Sequence, residues 1–222
     1  MSGSCAGSSK ALPTWRCCEP PSPGVGACAF AAEAEQPDAP VIWCPEISPS
    51  TIILVPAPPG FDGAAPLDFA SAGPILADRR NGDDRHLVLG EPAGDHRLWL
   101  HGTDAAARPA ILLPIDGALE LRVEALWRFY RRLRGRLSGP PPRALQPTPL
   151  QRARLILLLQ TLDLRLDGAG PRDIAAALLD AEAATLPAVE WKSSATRRKA
   201  NRLISDALAL MNGGYSKLLR GG

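Results

Sequence analysis

No run of about 18 apolar residues, the minimum for a helix that crosses a bilayer, occurs anywhere in the 222 residues. A membrane partner is therefore not expected. The first residues lack a basic segment leading into an apolar one, so no secretory leader is expected and the protein is read as cytoplasmic. Histidine is scarce: His86, His96 and His101 are the only three, and each reads as structural or exposed rather than catalytic. There is no Cys-x-x-Cys pair among the five cysteines and no histidine close to Cys5, Cys17, Cys18 or Cys28, so no zinc site and no other metal site is expected. Gly24-Val-Gly-Ala-Cys-Ala lacks the third glycine and the preceding strand of a nucleotide fingerprint. No phosphate-cradling glycine loop and no nucleophile elbow is present. The expectation is a protein that is not an enzyme and needs no cofactor.

What the sequence does have is a division of charge. Residues 38–116 carry 5 basic and 11 acidic side chains, whereas residues 117–222 carry 18 basic and 9 acidic ones. An acidic front and a basic back, hidden within a net charge of +2, imply that only the back half meets a polyanion.

Patterning along the chain predicts an α+β protein in four parts. Residues 1–37, rich in Gly, Ser, Ala and Pro without periodicity, read as a disordered tail. Residues 38–137 read as an α+β module. Its short strands end at turn signals (Thr51-Ile-Ile-Leu-Val, Arg85-His-Leu-Val-Leu, Arg97-Leu-Trp-Leu-His, Ala110-Ile-Leu-Leu), its sheet is expected to be small and antiparallel, and a turn is expected at Asn81-Gly82. A helix over Leu119–Leu137 closes this module. Leu119, Val123, Leu126, Trp127, Tyr130 and Leu133 form its predicted apolar side, with Arg128, Arg131, Arg132, Arg134 and Arg136 in water. Residues 138–147 open with Ser138-Gly-Pro-Pro-Pro-Arg and read as a stiff extended linker.

Residues 148–222 read as three helices in a helix-turn-helix-like bundle. Thr148-Pro149-Leu150-Gln151 is a start signal: a capping threonine, proline at the first helical position and glutamine to complete a capping box. The helix behind it, apolar over most of its circumference, is expected to be buried. Pro171 opens a second helix with Ile174, Ala175, Leu178 and Leu179, whose small residues suit close approach of a partner helix. The third starts near Ser193, and its apolar stripe is Ala200, Leu203, Ile204, Ala207, Leu208 and Met211. Ser194, Arg198, Asn201, Arg202 and Ser205 fall on the opposite side. Guanidinium, amide and hydroxyl groups on a helix whose other edge docks on a core suit contact with phosphates and base edges. The candidate DNA-binding residues are Arg172, Ser194, Arg197, Arg198, Lys199, Asn201 and Arg202. The connection over 180–192 is long for a helix-turn-helix. Either the second helix is extended, or the stretch from Leu186 to Trp191 is an inserted loop with Trp191 plugging the core.

Four stretches, Thr148-Pro-Leu-Gln-Arg, Pro171-Arg-Asp-Ile-Ala-Ala-Ala-Leu-Leu, Trp191-Lys-Ser-Ser-Ala-Thr-Arg-Arg-Lys-Ala-Asn-Arg-Leu and Gly213-Gly-Tyr-Ser-Lys-Leu-Leu-Arg, resemble in that order the RovC-like DNA-binding domain of type VI secretion transcription factors. Ala39-Pro-Val-Ile-Trp-Cys-Pro-Glu, Leu76-Ala-Asp-Arg-Arg and Leu126-Trp-Arg-Phe-Tyr-Arg-Arg-Leu are similar to its usual upstream companion. The resemblance covers about Pro40 to Gly222 and implies a sequence-specific transcription activator with double-stranded DNA as partner. It also extends to regulators of integrative and conjugative elements. A homo-oligomer, or an anti-activator as protein partner, would fit such a role. From the residues alone, an adaptor whose basic helix binds an acidic protein is the alternative.

Overall fold

A computed structural model describes residues 40–221 together with the strand pair member Ala29–Phe30. The expected tail, with Cys5, Cys17, Cys18 and Cys28, lies outside the described residues apart from that strand. In chain order the elements are β1 (Ala29–Phe30), β2 (Ile42–Trp43), β3 (Ile52–Pro56), α1 (Phe69–Ala72), β4 (Ile75–Asn81), β5 (Asp84–Leu89), β6 (His96–Leu100), β7 (Pro109–Leu112), α2 (Leu119–Leu133), α3 (Pro149–Leu166), α4 (Pro171–Leu178), α5 (Ala188–Ser193), α6 (Ala195–Ala209) and α7 (Tyr215–Leu219). This is the α+β protein the patterning indicates.

The sheet departs from expectation in one respect. Its strand order is β4-β5-β6-β3-β7, and the inner pair β3/β6 is parallel, with Ile53 opposite Trp99. All other pairs are antiparallel, so the sheet is mixed. The reason is connection length. Between β3 and β6 lie α1 and the whole β4–β5 hairpin, enough chain to return to the starting edge and run in the same direction. The hairpin turns at Gly82-Asp83, one residue on from the expected Asn81-Gly82 because Asn81 still pairs with Asp84, and Gly82 takes φ +58, a left-handed value that glycine adopts without penalty. Strand β4 itself escaped the sequence reading, because only Ile75, Leu76 and Ala77 at its start are apolar and the remaining four residues are charged or polar, the composition of a guarded edge.

Both faces of the sheet are covered, which is why β3, β5 and β6 are nearly continuous apolar runs. Ile52, Leu54, Leu87, Leu89, Leu98 and Leu100 point to one side, where Phe69, Ala72 and Phe129 pack on them. Ile53 and Trp99 point to the other, against Cys44, Ile47 and, from the far end of the chain, Leu219. Tyr215 adds a ring contact with Trp43 at 5.5 Å. The last helix is thereby tied to the sheet.

Helix α2 lies on the sheet the opposite way round from its sequence pattern. Leu121, Arg122, Ala125, Arg128 and Phe129 face inward, while Val123, Trp127, Tyr130 and Leu133 of the predicted apolar side are exposed. Carbonyl oxygens left over where loops cross the sheet explain the reversal, because buried acceptors need donors. Arg128 donates to the Gly139 and Gly94 oxygens at 3.1 and 2.9 Å, Arg132 to the Ala72 oxygen, and Arg122 to the Pro45 oxygen and, bidentately, to Asp116 at 3.2 and 2.8 Å. Arg128, placed in water by its sequence context, is in fact buried. Arg131, Arg134 and Arg136 are exposed as expected.

Below α2, the Pro-rich segment is pinned by a buried polar cluster. His96 Nε2 lies 2.8 Å from Glu91 Oε2 and 3.1 Å from Ser138 Oγ, and the Ser138 backbone N–H donates to Glu91 Oε1 at 3.2 Å. Burial holds the His96 pKa below the ordinary value; the Glu91 contact opposes that and the Arg128 charge adds to it. Burial also pushes Glu91 up, but hydrogen bonds from Ser138 and His96 outweigh it and leave that carboxyl more acidic than usual. In both cases the unfolded chain binds protons more readily than the folded one, so acid favours unfolding. Thermal stability is expected to fall as pH drops below about 6.5 and further through the carboxylate range. Glu91→Gln should lower the melting temperature at neutral pH and flatten the limb through the carboxylate range, leaving the histidine part of the fall below about 6.5 in place. Calorimetry across that range reads both, and a midpoint that rises on acidification would contradict the assignment.

Candidate nucleic-acid interface

The helical part begins where the start signal places it. Thr148 Oγ1 accepts from the Gln151 N–H at 3.2 Å and Gln151 Oε1 accepts from the Thr148 N–H at 2.8 Å, a complete capping box with Pro149 at the first position. Helix α3 is less buried than its composition suggests. Leu158 and Thr161 are its buried residues, and with Leu157 and Leu162 the former packs against Leu203, Ala207 and Leu210. Leu150, Ile156, Leu159 and Leu166 are exposed, because the bundle offers α3 neighbours along one stripe only.

Five α-helices, not three, occupy this part. Helix α4 buries Ile174 and Ala175, and Ala175 meets Ala183 and Ala200 with Leu179 and Trp191 around them. Alanine on both facing helices lets α4 and α6 approach closely, as its sequence suggests. The long 180–192 connection resolves into a tight turn over Ala181–Ala184 and the short helix α5. Trp191 on α5, half-buried, packs against this alanine cluster; the stretch is a short helix and not the inserted loop the sequence offered, although its tryptophan does turn toward the core. Arg172 braces this tryptophan: its guanidinium carbon sits 5.5 Å over the Trp191 ring, and Nη2 donates to the Leu186 oxygen. This proposed DNA contact is thus turned to an internal duty, a cation held on an indole face.

Helix α6 starts one residue after Ser194, whose Oγ accepts from the Arg197 N–H at 3.0 Å and donates to the Trp191 oxygen at 2.9 Å. Ser194 is therefore a cap that ties the head of α6 to α5. Ala200, Leu203 and Ala207 are buried on α3 and α4, with Ile204 and Leu208 half-buried. The stripe ends there. Met211 is exposed and Leu210 takes its place in the core, because the chain passes into a π-type turn over Leu210–Gly214 and kinks at Asn212 and Gly213, the latter at φ +104.

The opposite side of α6 is open. Arg198, Lys199, Asn201, Arg202 and Ser205 are exposed and Arg197 half-exposed. Two guanidiniums are steadied from behind: Arg197 Nη1 donates to the Lys192 oxygen and Arg198 Nη1 to the Ser193 oxygen, both at 2.9 Å. The last carbonyls of α5 thus aim the first arginines of α6 and limit the rotamer entropy lost when they bind. That contact also places exposed Lys192 beside Arg197, a cation the periodicity passed over because it belongs to another helix. Asp206, the acid of α6, pairs with Arg154 at 2.6 Å, at the far end from the cationic group. Six of the seven candidate residues stand together at the head of α6, and Arg172 stands apart from them.

Among the described residues no group of acidic, histidine and cysteine side chains could hold a metal ion, and no helix is long and apolar enough to cross a membrane. Residues 112–220 match the family model described as T6SS transcription factor, DNA binding domain. Residues 50–111 match a domain of unknown function. Among curated proteins and solved structures, none matches the chain.

Proposed function

Since residues 112–220 belong to the RovC-like DNA-binding domains of type VI secretion transcription factors, we propose that the chain is a sequence-specific transcription activator that reads duplex DNA with the head of α6. The observation that carries this reading is the polarity of that helix. One side is closed on α3 and α4, and the other offers Arg198, Lys199, Asn201 and Arg202 outward, with Arg197 half-exposed at the edge of the buried stripe. Arg197 and Lys199 neutralise phosphates. Asn201, with Arg198 or Arg202, reads base edges in the major groove, where amide and guanidinium groups pair bidentately with adenine and guanine. Ser194 and the first N–H groups of α6 form a helix start of the kind that binds a phosphate oxygen.

Footprinting on the DNA upstream of the chain's own gene, followed by mobility shifts on the protected segment, tests this. With four or five cations engaged, log affinity should fall with log salt at a slope of about −4. Random duplex should bind with a similar slope but at least about a thousandfold more weakly. No protected segment, and retention by an acidic protein in preference to DNA, would instead favour the adaptor reading, in which the same cations dock on carboxylates.

A further inference from the structure

Arg97 on β6 takes no part in the packing or the interface described above. Alternation along the strand sends it to the side of Trp99, while His96 and Leu98 turn toward Phe129. Its guanidinium is half-buried and makes no hydrogen bond and no ion pair among the described residues, and its Nε is sealed from water without a partner. Burial holds its pKa below the ordinary value, and the Asp95 charge opposes that. Arginine keeps its proton all the same, so a cation is held with little water and no direct partner, an unfavourable state that an anion relieves.

Arg97 lines a cavity of ≈ 260 Å³ where the sheet, the Pro-rich segment and α7 meet. Ser48 and Ser50 line it too, with their hydroxyl oxygens 3.3 Å apart. That is longer than the ~2.8 Å usual between hydroxyls, so the contact holds neither of them fast. Arg128 adds a second positive charge, its Nε and Nη2 already committed to the Gly139 and Gly94 oxygens. Asp95 is the acid in the wall, and Trp43, Pro142 and Leu219 supply apolar surface.

We propose that this cavity binds the phosphoryl group of a small phosphate, with Arg97, Ser48 and Ser50 donating to its oxygens and Asp95 accepting from its remaining O–H. The planar fork of arginine matches two oxygens of such a group. A carboxylate has only two oxygens and would leave a hydroxyl unanswered. Sulfate has enough, but it carries no proton to offer Asp95 and meets that carboxylate as a like charge. A phosphate ester, with a second pKa of about 6, holds one proton at little cost near neutral pH. One water takes about 30 Å³ of liquid, so the cavity admits a phosphoryl group with a small organic remainder lying along Trp43. Because the Pro-rich segment and α7 form part of the wall, a bound phosphate ties both to the sheet.

The cavity stands apart from α6 and does not depend on the DNA reading. It is tested on the full chain without DNA, by calorimetric titration and thermal melts with inorganic phosphate and with sulfate at matched ionic strength. Phosphate at ten times its dissociation constant should raise the melting temperature by about 3 °C or more. Sulfate should bind at least about tenfold more weakly. Arg97→Gln should weaken phosphate binding at least about tenfold, and Asp95→Asn should narrow the gap between phosphate and sulfate to about threefold or less. Arg198→Ala with Arg202→Ala should leave both affinities unchanged. Should Arg97→Gln fail to fold by circular dichroism, Ser48→Ala with Ser50→Ala replaces it and should weaken phosphate binding about tenfold. Adenosine 5′-monophosphate binding more tightly than inorganic phosphate assigns the site to an ester, and the reverse order assigns it to the free anion; either order supports a phosphoryl site. No binding of phosphate at about 10 mM would overturn the proposal. So would equal affinity for phosphate and sulfate in the unaltered chain, or binding that the α6 pair abolishes and Arg97→Gln leaves intact.

Discussion

Replacing Arg198 and Arg202 together by alanine is expected to weaken binding to the operator duplex at least about thirtyfold, at about 1–3 kcal/mol for each specific contact. The log–log salt slope should become shallower by about 2 if both side chains also neutralise phosphates. Stability should hardly move. Both residues are exposed, and the one internal hydrogen bond lost, from Arg198 to the Ser193 oxygen, is a surface contact of about 1 kcal/mol or less. Mobility shifts at two salt concentrations and a urea melt give all three readings. Affinity equal to that of the unaltered chain would remove α6 from the interface. Arg172→Ala behaves differently, because that side chain braces Trp191: stability should fall first, and DNA binding only as far as α5 and α6 lose their geometry.

The second large effect lies in α2. Phe129→Ala is expected to cost about 3–5 kcal/mol, the range for truncating a fully buried aromatic. Phe129 is wholly buried among leucines of three strands, and the residues around it are held by strand pairing and cannot close over the cavity. Trp127→Ala, two positions earlier and a larger deletion, should change the stability of the monomer by about 0.5 kcal/mol or less, because that ring faces water. Urea midpoints at low protein concentration, with unchanged slopes, measure both. Equal losses at the two sites would mean that α2 is rotated from the orientation described here.

That contrast marks where the sequence stops being readable. A helix over 119–137 is plain from its period, although it ends at Leu133, but its pattern holds two candidate inward sides. Val123, Trp127 and Tyr130 make one, and Leu121, Ala125 and Phe129 with two arginines make the other. Counting apolar side chains selects the first. The choice falls to the second because Gly94, Gly139, Ala72 and Pro45 present carbonyl oxygens there, and residues so distant in sequence leave no local trace of meeting on one helix face. Helix α3 misleads in the same way. Leucine on every side suggests burial, yet the number of neighbours a helix finds is set by the bundle and not by its own composition.

In the interface the balance is different. The cationic side of α6 and its stripe through Ala207 follow from spacing alone, since a helix forces residues three and four apart onto one side, whereas Ser194, read as a residue of the open face, is shown to be the cap only by the structure. Arg172 is another exception: a guanidinium beside the recognition segment reads as a DNA contact until Trp191 is seen beneath it.

Local periodicity and charge, then, determine from the sequence alone an α+β front, a helical basic back and the outward row of cations on α6, because those depend on neighbours within a turn or two. Tertiary structure alone decides the parallel β3/β6 pair, the sense in which α2 lies on the sheet, the bracing of Trp191 by Arg172 and the return of Leu219 to the sheet. Each of these is a meeting between segments far apart in the chain, where the pairing of a buried acceptor or the filling of a gap outweighs the preference written into either segment.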